Sequence, residues 1–522
     1  MRTHSITLLL FIFLLGAANR APWLLLFTLS FLLPLLFTIW LVPGGFAWHR
    51  FYYPGHRGPI APGPVGWPLL GCLTVMGPLA HRKLAELSKS HCAGRLMALS
   101  LGATPVVISS HPDTAREILH GAAFCDRPSK VSARLLMFER AIGFAPGGGE
   151  HWRHLRRVAA TNMFSPRRIA ALAELRQRVV DSMVIKIWEE IEGKGEVVLR
   201  GVLQRSALES MVGSVFGVGR EGEEEELVQM VSEGYELIGE FNLEDYLPFG
   251  GLLDFHGVGR RCKHLAARVR ELVGRIVERR RRLKVDDDHC MQQDDGDFLS
   301  MLLSLPQEER LCDTDIIAVL WEMIFRGTDA VAVLLEWMMA RIILHPHIQA
   351  KAQQELEAVA GDRPVDDSDL PKLRYLHAVT KEVLRMHPPG PLLSWARLAV
   401  RDVHVGKYFV PAGTTAMVNM WAITHDESNW KDPWAFLPDR FLEEDVSPLG
   451  SDLRLAPFGS GRRVCPGRAL GLATVHLWVA RLLQQYRWTA ARPVNLSECL
   501  RLSLEMKKPL ACRVVRRGHN AD

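Results

Sequence analysis

The sequence predicts a mainly α-helical protein with small β-sheets, built as one large domain behind an apolar N-terminal segment. Two observations predict the helical class: long stretches carry apolar residues at helical spacing, and the candidate strands are few and short. A third observation is the 48% share of hydrophobic residues among 522, which permits the large interior that one continuous domain requires. We predict boundaries at 1–45 for the N-terminal segment, 46–71 for a connecting segment and 72–518 for the domain.

The charge argues against nucleic-acid binding, and the cysteine pattern argues against structural disulfide and zinc sites. Because 63 basic residues stand against 58 acidic ones, the net charge of +5 is small for this length, and we predict no nucleic-acid binding. The nine cysteines are scattered without a CxxC pair, which argues against a disulfide framework and a structural zinc site. We therefore expect reduced thiols in a domain that faces the cytosol.

Residues 1–45 are predicted to be a membrane anchor. An apolar run covers 6–18, and 22 uncharged residues follow at 21–42, long enough to span a bilayer. The length of the second run and the lack of a small-residue cleavage site favour a retained anchor over a cleaved signal peptide, with either one or two spans. The basic flank after the run favours a cytosolic domain. PGPVGWPLLG, 62–71, indicates a stiff turn into that domain.

Three helices and four strands can be placed from the sequence. Residues 314–343 form a long helix, capped by Asp313 or Thr314, whose apolar character on nearly every face predicts a central position. Residues 373–387 form a second helix that ends before Pro388, and 469–485 form a third. The strand candidates are 96–100, 106–109, 403–410 and 415–419. The charged stretches 221–227 and 284–297 indicate exposed turns or a mobile connection between helices.

The stretch PFGSGRRVCPG, 457–467, surrounds one cysteine with glycine, proline and arginine. Gly459, Gly461 and Gly467 let the backbone approach the Cys465 sulfur closely, and the following helix points its positive end at it. Backbone N–H groups and a helix N-terminus stabilise a thiolate, which suits an iron–thiolate bond. A buried cysteine in a tight turn is the alternative interpretation of these residues.

The pattern Phe458-x-x-Gly461-x-Arg463-x-Cys465-x-Gly467 resembles the haem-binding loop of the cytochrome P-450 superfamily at every fixed position. The resemblance implies the cytochrome P-450 fold and haem b as cofactor, an iron protoporphyrin with Cys465 as axial thiolate and metal ligand. It also implies that Phe458 packs against the sulfur side of the porphyrin. Arg463 would pair with a propionate, because a guanidinium suits bidentate binding of a carboxylate.

Two further motifs resemble the structural triad of the same superfamily. Glu382 and Arg385 match its ExxR element, whose spacing puts both side chains on one helix face, and FLPDRF, 436–441, supplies Arg440. Taken alone, Glu382 and Arg385 equally describe a surface ion pair. The resemblance implies a buried triad that is structural and not catalytic.

Other basic residues match positions that hold the haem propionates. Trp152 and Arg156 in HWRHLRR resemble the helix that reaches one propionate, although a solvated basic helix is the alternative, and Arg397 stands where the superfamily commonly has another such arginine. A second set implies a basic surface for an electron donor, NADPH-cytochrome P-450 reductase. Its members are Arg153, Arg157, Arg454, Arg462 and Arg468.

The centre of the long helix resembles the oxygen-binding segment of the superfamily and departs from it at one position. Gly327, Thr328 and Asp329 are the catalytic candidates, since Gly327 opens the backbone for oxygen and Asp329 can belong to a proton path. The alternative is a core helix with buried charges. Ala330 stands where the superfamily has a threonine that helps to protonate bound oxygen, and Thr328 points to a different face. Three outcomes stay open: a substrate hydroxyl or water replaces the lost group, coupling is poor and peroxide leaks, or the chemistry is not that of a monooxygenase.

Longer stretches resemble the plant A-type family 78, subfamily A: IGFAP (142–146), WRHLRRVAATNMF (152–164), EMIFRGTD (322–329) and LSWARL (393–398). The resemblance implies a monooxygenase of the endoplasmic reticulum membrane, with the catalytic domain facing the cytosol. It further implies a hydrophobic small-molecule substrate such as a fatty acid, a role in plant growth or organ-size control, and O2, the NADPH-dependent reductase and membrane lipid as partners. The alternatives are a thiolate-haem isomerase, a peroxide-dependent enzyme and a nearly inactive haem protein.

Overall fold

Helices dominate the residues that the computed structural model describes, which are 30, 40–51, 58–128, 130–217, 223–240, 245–246, 254, 257–286, 296–393 and 396–517. Within them the predicted mainly helical class with small sheets is confirmed. The helices are α1 (Ala80–Ser90), α2 (Pro112–His120), α3 (Val131–Leu136), α4 (Glu150–Asn162), α5 (Pro166–Ala171), α6 (Ala173–Lys194), α7 (Leu199–Phe216), α8 (Glu223–Gly239), α9 (Val258–Asp286), α10 (Phe298–Leu303), α11 (Asp313–Leu344), α12 (Pro346–Ala360), α13 (Arg374–Met386), α14 (Met420–Thr424), α15 (Arg440–Glu443) and α16 (Arg468–Gln485). Short 3-10 helices cover Phe46–Phe51, Leu73–Val75, Ala122–Phe124, Gln307–Glu309, Leu370–Lys372 and Gly461–Arg463.

The strands of the described chain form four small sheets. They are β1 (Met97–Leu101), β2 (Thr104–Ser109), β3 (Val197–Val198), β4 (Arg397–Leu398), β5 (Val403–Val405), β6 (Tyr408–Val410), β7 (Thr415–Val418), β8 (Tyr486–Ala490), β9 (Glu498–Leu500), β10 (Leu504–Met506) and β11 (Ala511–Arg516). The largest sheet has the order β1-β2-β7-β4, and the others are β3-β11-β8, β9-β10 and β5-β6. Within the largest, β2 and β7 run parallel, with Val106 opposite Thr415, and the other pairs are antiparallel.

The three predicted helices are confirmed to within one residue at each end, as α11, α13 and α16. The predicted cap of α11 is wrong. Cys312, with an extended backbone and no side-chain capping bond, holds the cap position. Asp313 is already in the first turn of the helix, where the positive end of the helix favours its carboxylate.

Two other local predictions are corrected. The stretch 403–410 is a hairpin and not one strand, since Gly406 adopts a φ of +57° between β5 and β6. The acidic residues from Glu223 onward begin helix α8 instead of an exposed turn, because carboxylates are stabilised at the positive N-terminal end of a helix. Most of the stretch 284–297 lies outside the described residues.

Helix α11 is the centre of the fold and is buried over most of its length. Its first half, with Trp321 and Phe325, belongs to an apolar cluster that includes residues of α4, α7, α8 and α9. Its second half, with Trp337, belongs to a second cluster that includes residues of α6, α13 and α16. Residues 326–330 lie between the two clusters, and there α11 faces a cavity.

The predicted membrane anchor lies almost entirely outside the described residues. Of the two apolar runs at 6–18 and 21–42, the structure describes only residues 30 and 40–42. Among the residues that it does describe, no helix combines the length and the apolar character needed to cross a membrane. The predicted stiff turn at 62–71 is confirmed by its closing pair of hydrogen bonds, Trp67 N to Gly71 O at 2.8 Å and Gly71 N to Trp67 O at 2.7 Å.

Candidate functional site

A cavity of about 310 Å³ is lined by the middle of α11 and by the cysteine loop, residues 457–467. The fold therefore brings together segments that are more than a hundred residues apart in the sequence. Every residue that the resemblance assigned to haem lies on the cavity wall: Trp152, Arg156, Arg397, Phe458, Arg463 and Cys465. Gly327, Asp329 and Ala330 of α11 also line the cavity.

The cysteine loop is a tight structure that only certain residues permit. Cys465 N donates a hydrogen bond of 2.9 Å to Phe458 O, which closes the loop on itself. Gly461 adopts a φ of +68°, and a Cβ atom there would lie 2.3 Å from Leu119 O, so no other residue fits. The predicted backbone freedom of Gly467 is not used, since its φ is −84°. A Cβ atom at Gly467 would instead crowd the Phe164 ring at 3.2 Å.

Two opposing effects act on the pKa of the Cys465 thiol: its burial and the positive charge around it. Burial raises the pKa of Cys465, while Arg326, the backbone N–H of Gly467 and two further arginines, Arg156 and Arg468, lower it. Helix α16 begins directly after the loop without a side-chain cap, so its first N–H groups point towards this region. A cation bound at the sulfur would complete the stabilisation of the thiolate. The site therefore suits a thiolate metal ligand.

Buried arginines dominate the rest of the cavity wall. Five arginines line it, against the two carboxylates Glu322 and Asp329. Burial and the neighbouring charge of Arg463 lower the pKa of Arg397 to about 9, and burial lowers that of Arg463 to about 10. The repulsion between the positive charges of these neighbouring arginines is offset when anions bind beside them. The cluster fits a ligand that carries two carboxylates, as haem does.

The predicted propionate residues are held by backbone carbonyls. Arg463 donates to Cys125 O at 3.1 Å and to Ile142 O at 3.1 Å, and its guanidinium lies 4.8 Å from the Trp152 ring centroid. Trp152 Nε1 donates to Ile142 O at 3.0 Å, and Arg397 donates to Ser460 O at 3.4 Å. The side chains are thus fixed at the wall before any ligand contributes.

Arg127 is a further cavity residue that the sequence analysis missed. Its guanidinium donates to Gly143 O at 3.0 Å and to Ala396 O at 3.3 Å. Burial, reinforced by the positive charges of Arg397, Arg463 and Arg326, keeps the pKa of Arg127 well below its usual value. The only sequence signal was its place in the short segment Asp-Arg-Pro at 126–128, which by itself predicts a turn.

Ala330 and the catalytic candidates Thr328 and Asp329 have different surroundings on α11. Ala330 is exposed to the cavity, as its predicted position above the site requires. Thr328 is buried, does not line the cavity and donates its hydroxyl to Ile324 O at 2.8 Å, which agrees with the prediction that it cannot replace a hydroxyl at 330. Burial raises the pKa of Asp329 to about 6, although a hydrogen bond with Ser503 opposes the rise.

Gly327 has a close neighbour that the sequence did not reveal. A Cβ atom at this position would lie 2.6 Å from Met211 Cε and 2.7 Å from Met211 Sδ. Helix α7 therefore presses a thioether against α11 at the point where the sequence analysis expected room for oxygen. A larger residue at 327 would force the Met211 side chain to move, and the expected role of Gly327 towards oxygen stays a prediction.

The predicted triad is assembled in the core. Glu382 and Arg385 are fully buried and form a bidentate pair, with two hydrogen bonds of 2.8 Å. Arg440 Nε lies 3.4 Å from Glu382 Oε1, and Leu437 N donates to the same oxygen at 2.9 Å. The surface ion pair considered for Glu382 and Arg385 is thereby excluded.

Comparison with known proteins gives the same family. The model of the family "Cytochrome P450" matches residues 61–512. Cytochrome P450 78A5 of Arabidopsis thaliana is 50% identical over 489 residues, which cover 92% of this chain and 93% of the relative. Cytochrome P450 78A3 of Glycine max is 47% identical, with 96% of both chains covered, and a flavonoid 3'-monooxygenase of Arabidopsis thaliana is 34% identical, with 87% and 91% covered. The chain therefore belongs to the cytochrome P450 family of haem-thiolate monooxygenases, with the 78A proteins among its relatives.

Proposed function

We propose that this monooxygenase acts on a hydrophobic small molecule at the cavity between α11 and the cysteine loop, with Cys465 as the axial ligand of haem b. The observation that carries the proposal is the position of the Cys465 thiol, enclosed by the closed loop and facing a cavity lined by five arginines. When bound, haem b supplies the redox chemistry that divides O2 between the substrate and water.

The chain's own residues bind and orient that cofactor. Cys465 supplies the thiolate, stabilised by the Gly467 N–H and the start of α16, and Phe458 covers the adjoining wall. Arg463, Arg397, Arg156 and Trp152 would bind the two carboxylates of haem, and Arg127 would join them. Glu382, Arg385 and Arg440 hold the framework beneath this site.

The proton supply falls to Asp329. Because its pKa is about 6, the carboxyl exchanges a proton readily near neutral pH, and it lies on the cavity wall beside Ser503. Ala330 contributes no hydroxyl, so we propose that another hydroxyl, a water or a group of the substrate completes the path. The peroxide-dependent, isomerase and nearly inactive alternatives rest on the same alanine.

The apolar part of the wall indicates the substrate class. Met211, Met323, Leu334, Leu393 and Leu502 line the cavity, so we propose a hydrophobic substrate such as a fatty acid. Electrons would come from NADPH through NADPH-cytochrome P-450 reductase at the endoplasmic reticulum membrane, with membrane lipid around the anchor. Arg153, Arg157 and Arg462 are the exposed members of the proposed docking set, whereas Arg454 is already paired with Glu444 and Asp452. We also propose a role in plant growth or organ-size control, which rests on the resemblance of the sequence to plant family 78, subfamily A.

The test is the fate of NADPH in the full chain reconstituted with the reductase and offered a panel of fatty acids. Oxygenated product that matches NADPH consumption is the expected result. Product that forms without NADPH supports the isomerase or peroxide-dependent alternative, and no product with any oxidant supports the inactive haem protein. Cys465→Ser should abolish the thiolate-type Soret shift with carbon monoxide, whereas the control Cys125→Ser should keep it. A retained shift in Cys465→Ser would refute the assigned ligand.

A further inference from the structure

Helix α8 makes an unusually close approach to the oxygen-binding turn of α11. A Cβ atom at Gly234 would lie 2.6 Å from Phe325 Cε2, so the crossing is possible only because residue 234 is glycine. The neighbouring Tyr235 ring packs on Phe325 with 4.6 Å between centroids. The close crossing of α8 and α11 places the Tyr235 hydroxyl at the backbone of α11.

That hydroxyl bridges two backbone groups of α11. Tyr235 Oη donates a hydrogen bond to Phe325 O and accepts one from Asp329 N at 3.1 Å. Phe325 O and Asp329 N are an i, i+4 pair, the pair that an α-helix joins directly. A side-chain group that inserts into this ladder is a recognised cause of local helix opening. The bridge lies one residue before Ala330.

The tyrosine is suited to act as donor and acceptor together. Burial, with the nearby charge of Asp329, holds the pKa of Tyr235 well above its usual value, so the hydroxyl keeps its proton. A neutral phenol has one donor and two acceptor sites, and this arrangement uses both kinds.

We propose that Tyr235 is a positioning residue for oxygen activation: its hydroxyl, lodged between Phe325 O and Asp329 N, holds the turn that sets the Asp329 carboxyl in the cavity wall. In this chain the hydroxyl that shapes the oxygen-binding turn comes from α8, across the helix crossing, and not from position 330. Tyr235 does not line the cavity, so it acts through Asp329 and the backbone of α11. The position of α8 therefore controls the proton supply.

The inference rests on the proposed proton supply from Asp329, and two measurements keep the two ideas separate. The first is amide hydrogen exchange of the segment 323–331 in the purified full-length haem protein. Tyr235→Phe keeps the ring packing and removes the bridge, which leaves a buried carbonyl and a buried N–H without their partner. Losing one hydrogen bond of ordinary strength should speed exchange of the Asp329 amide about ten-fold. Tyr486→Phe is the matched control, because its hydroxyl also donates to a backbone carbonyl, the half-buried Val184 O at 3.1 Å, in a different apolar cluster.

The second measurement is the hydrogen peroxide released per NADPH, with dodecanoic acid as the probe substrate and four proteins compared: wild type, Tyr235→Phe, Ala330→Thr and the double variant. We expect Tyr235→Phe to raise the peroxide share at least three-fold, and Ala330→Thr to restore it to within two-fold of wild type in the Tyr235→Phe background.

Unchanged or slower exchange of the Asp329 amide in Tyr235→Phe would overturn the proposal, because the helix would then close its own ladder without the bridge. An additive double variant would overturn it as well. If all four proteins form only peroxide while Tyr235→Phe still speeds exchange, the failure belongs to the proposed monooxygenase coupling, and the bridging role of Tyr235 stands.

Discussion

Replacing Arg385 by lysine tests how much the buried triad stabilises the fold. The Arg385 guanidinium is fully buried and donates five hydrogen bonds: two to Glu382, and one each to Thr424 O, Pro433 O and Ala435 O. A lysine ammonium keeps the charge but has only three N–H donors at one point. At least two of the five contacts must therefore be lost.

The expected loss follows from the two acceptors left without a donor. Each buried polar group without a partner costs about 1–3 kcal/mol, so Arg385→Lys should lower the free energy of unfolding by about 2–6 kcal/mol. That is a large part of the roughly 5–15 kcal/mol that stabilises a typical protein. Urea unfolding followed by circular dichroism measures the difference, provided that the transition is two-state.

Arg374→Lys provides the control on the same helix. Arg374 is the first residue of α13 and is exposed, so the same chemical change there should alter the unfolding free energy by less than about 0.5 kcal/mol. If Arg385→Lys costs less than about 1 kcal/mol, or no more than Arg374→Lys, the fork geometry does not stabilise the fold and the reasoning is refuted.

Two further predictions concern α11. Ser503→Ala should raise the pKa of Asp329 above its value of about 6, because the hydrogen bond that is lost favours the charged carboxylate. The carboxyl should therefore stay protonated to higher pH, which infrared titration of its C=O stretch measures. An unchanged or lower midpoint would contradict the prediction. Gly327→Ala should destabilise the protein by at most about 2 kcal/mol, because the new methyl group would lie 2.6 Å from the movable Met211 Cε, whereas alanine is favoured over glycine in a helix by about 1 kcal/mol. In the Met211→Ala background the same change should be neutral or stabilising, and equal effects in both backgrounds would show that the contact is not the cause.

The sequence was most informative for features that are determined by residues close together in the chain. The cysteine loop is specified within eleven residues, and its closing bond joins Cys465 to Phe458, so its shape could be anticipated locally. The extent of α11 followed from its long apolar run and proved correct to one residue. The short strands β8 to β11 were not predicted, because their pairing depends on partners elsewhere and not on a strong local pattern.

The missed residues of the site share one property. Met211 beside Gly327 and Tyr235 beside Phe325 are contacts between distant parts of the chain. Nothing in the local pattern distinguishes Met211 from any other apolar residue of a buried helix. Such contacts become visible only when the helix crossings are known.

The parallel pairing of β2 with β7 has a consequence for the order in which the chain can fold. The edge of β2 at Val106 can pair with β7 only after Thr415, about 300 residues later in the sequence, has been synthesised. At roughly 5–20 residues per second, a ribosome needs about 15–60 s to supply that partner. Throughout this interval the nascent chain presents an apolar strand with an unsatisfied edge, so its biogenesis is expected to depend on chaperones that shield this edge until synthesis is nearly complete.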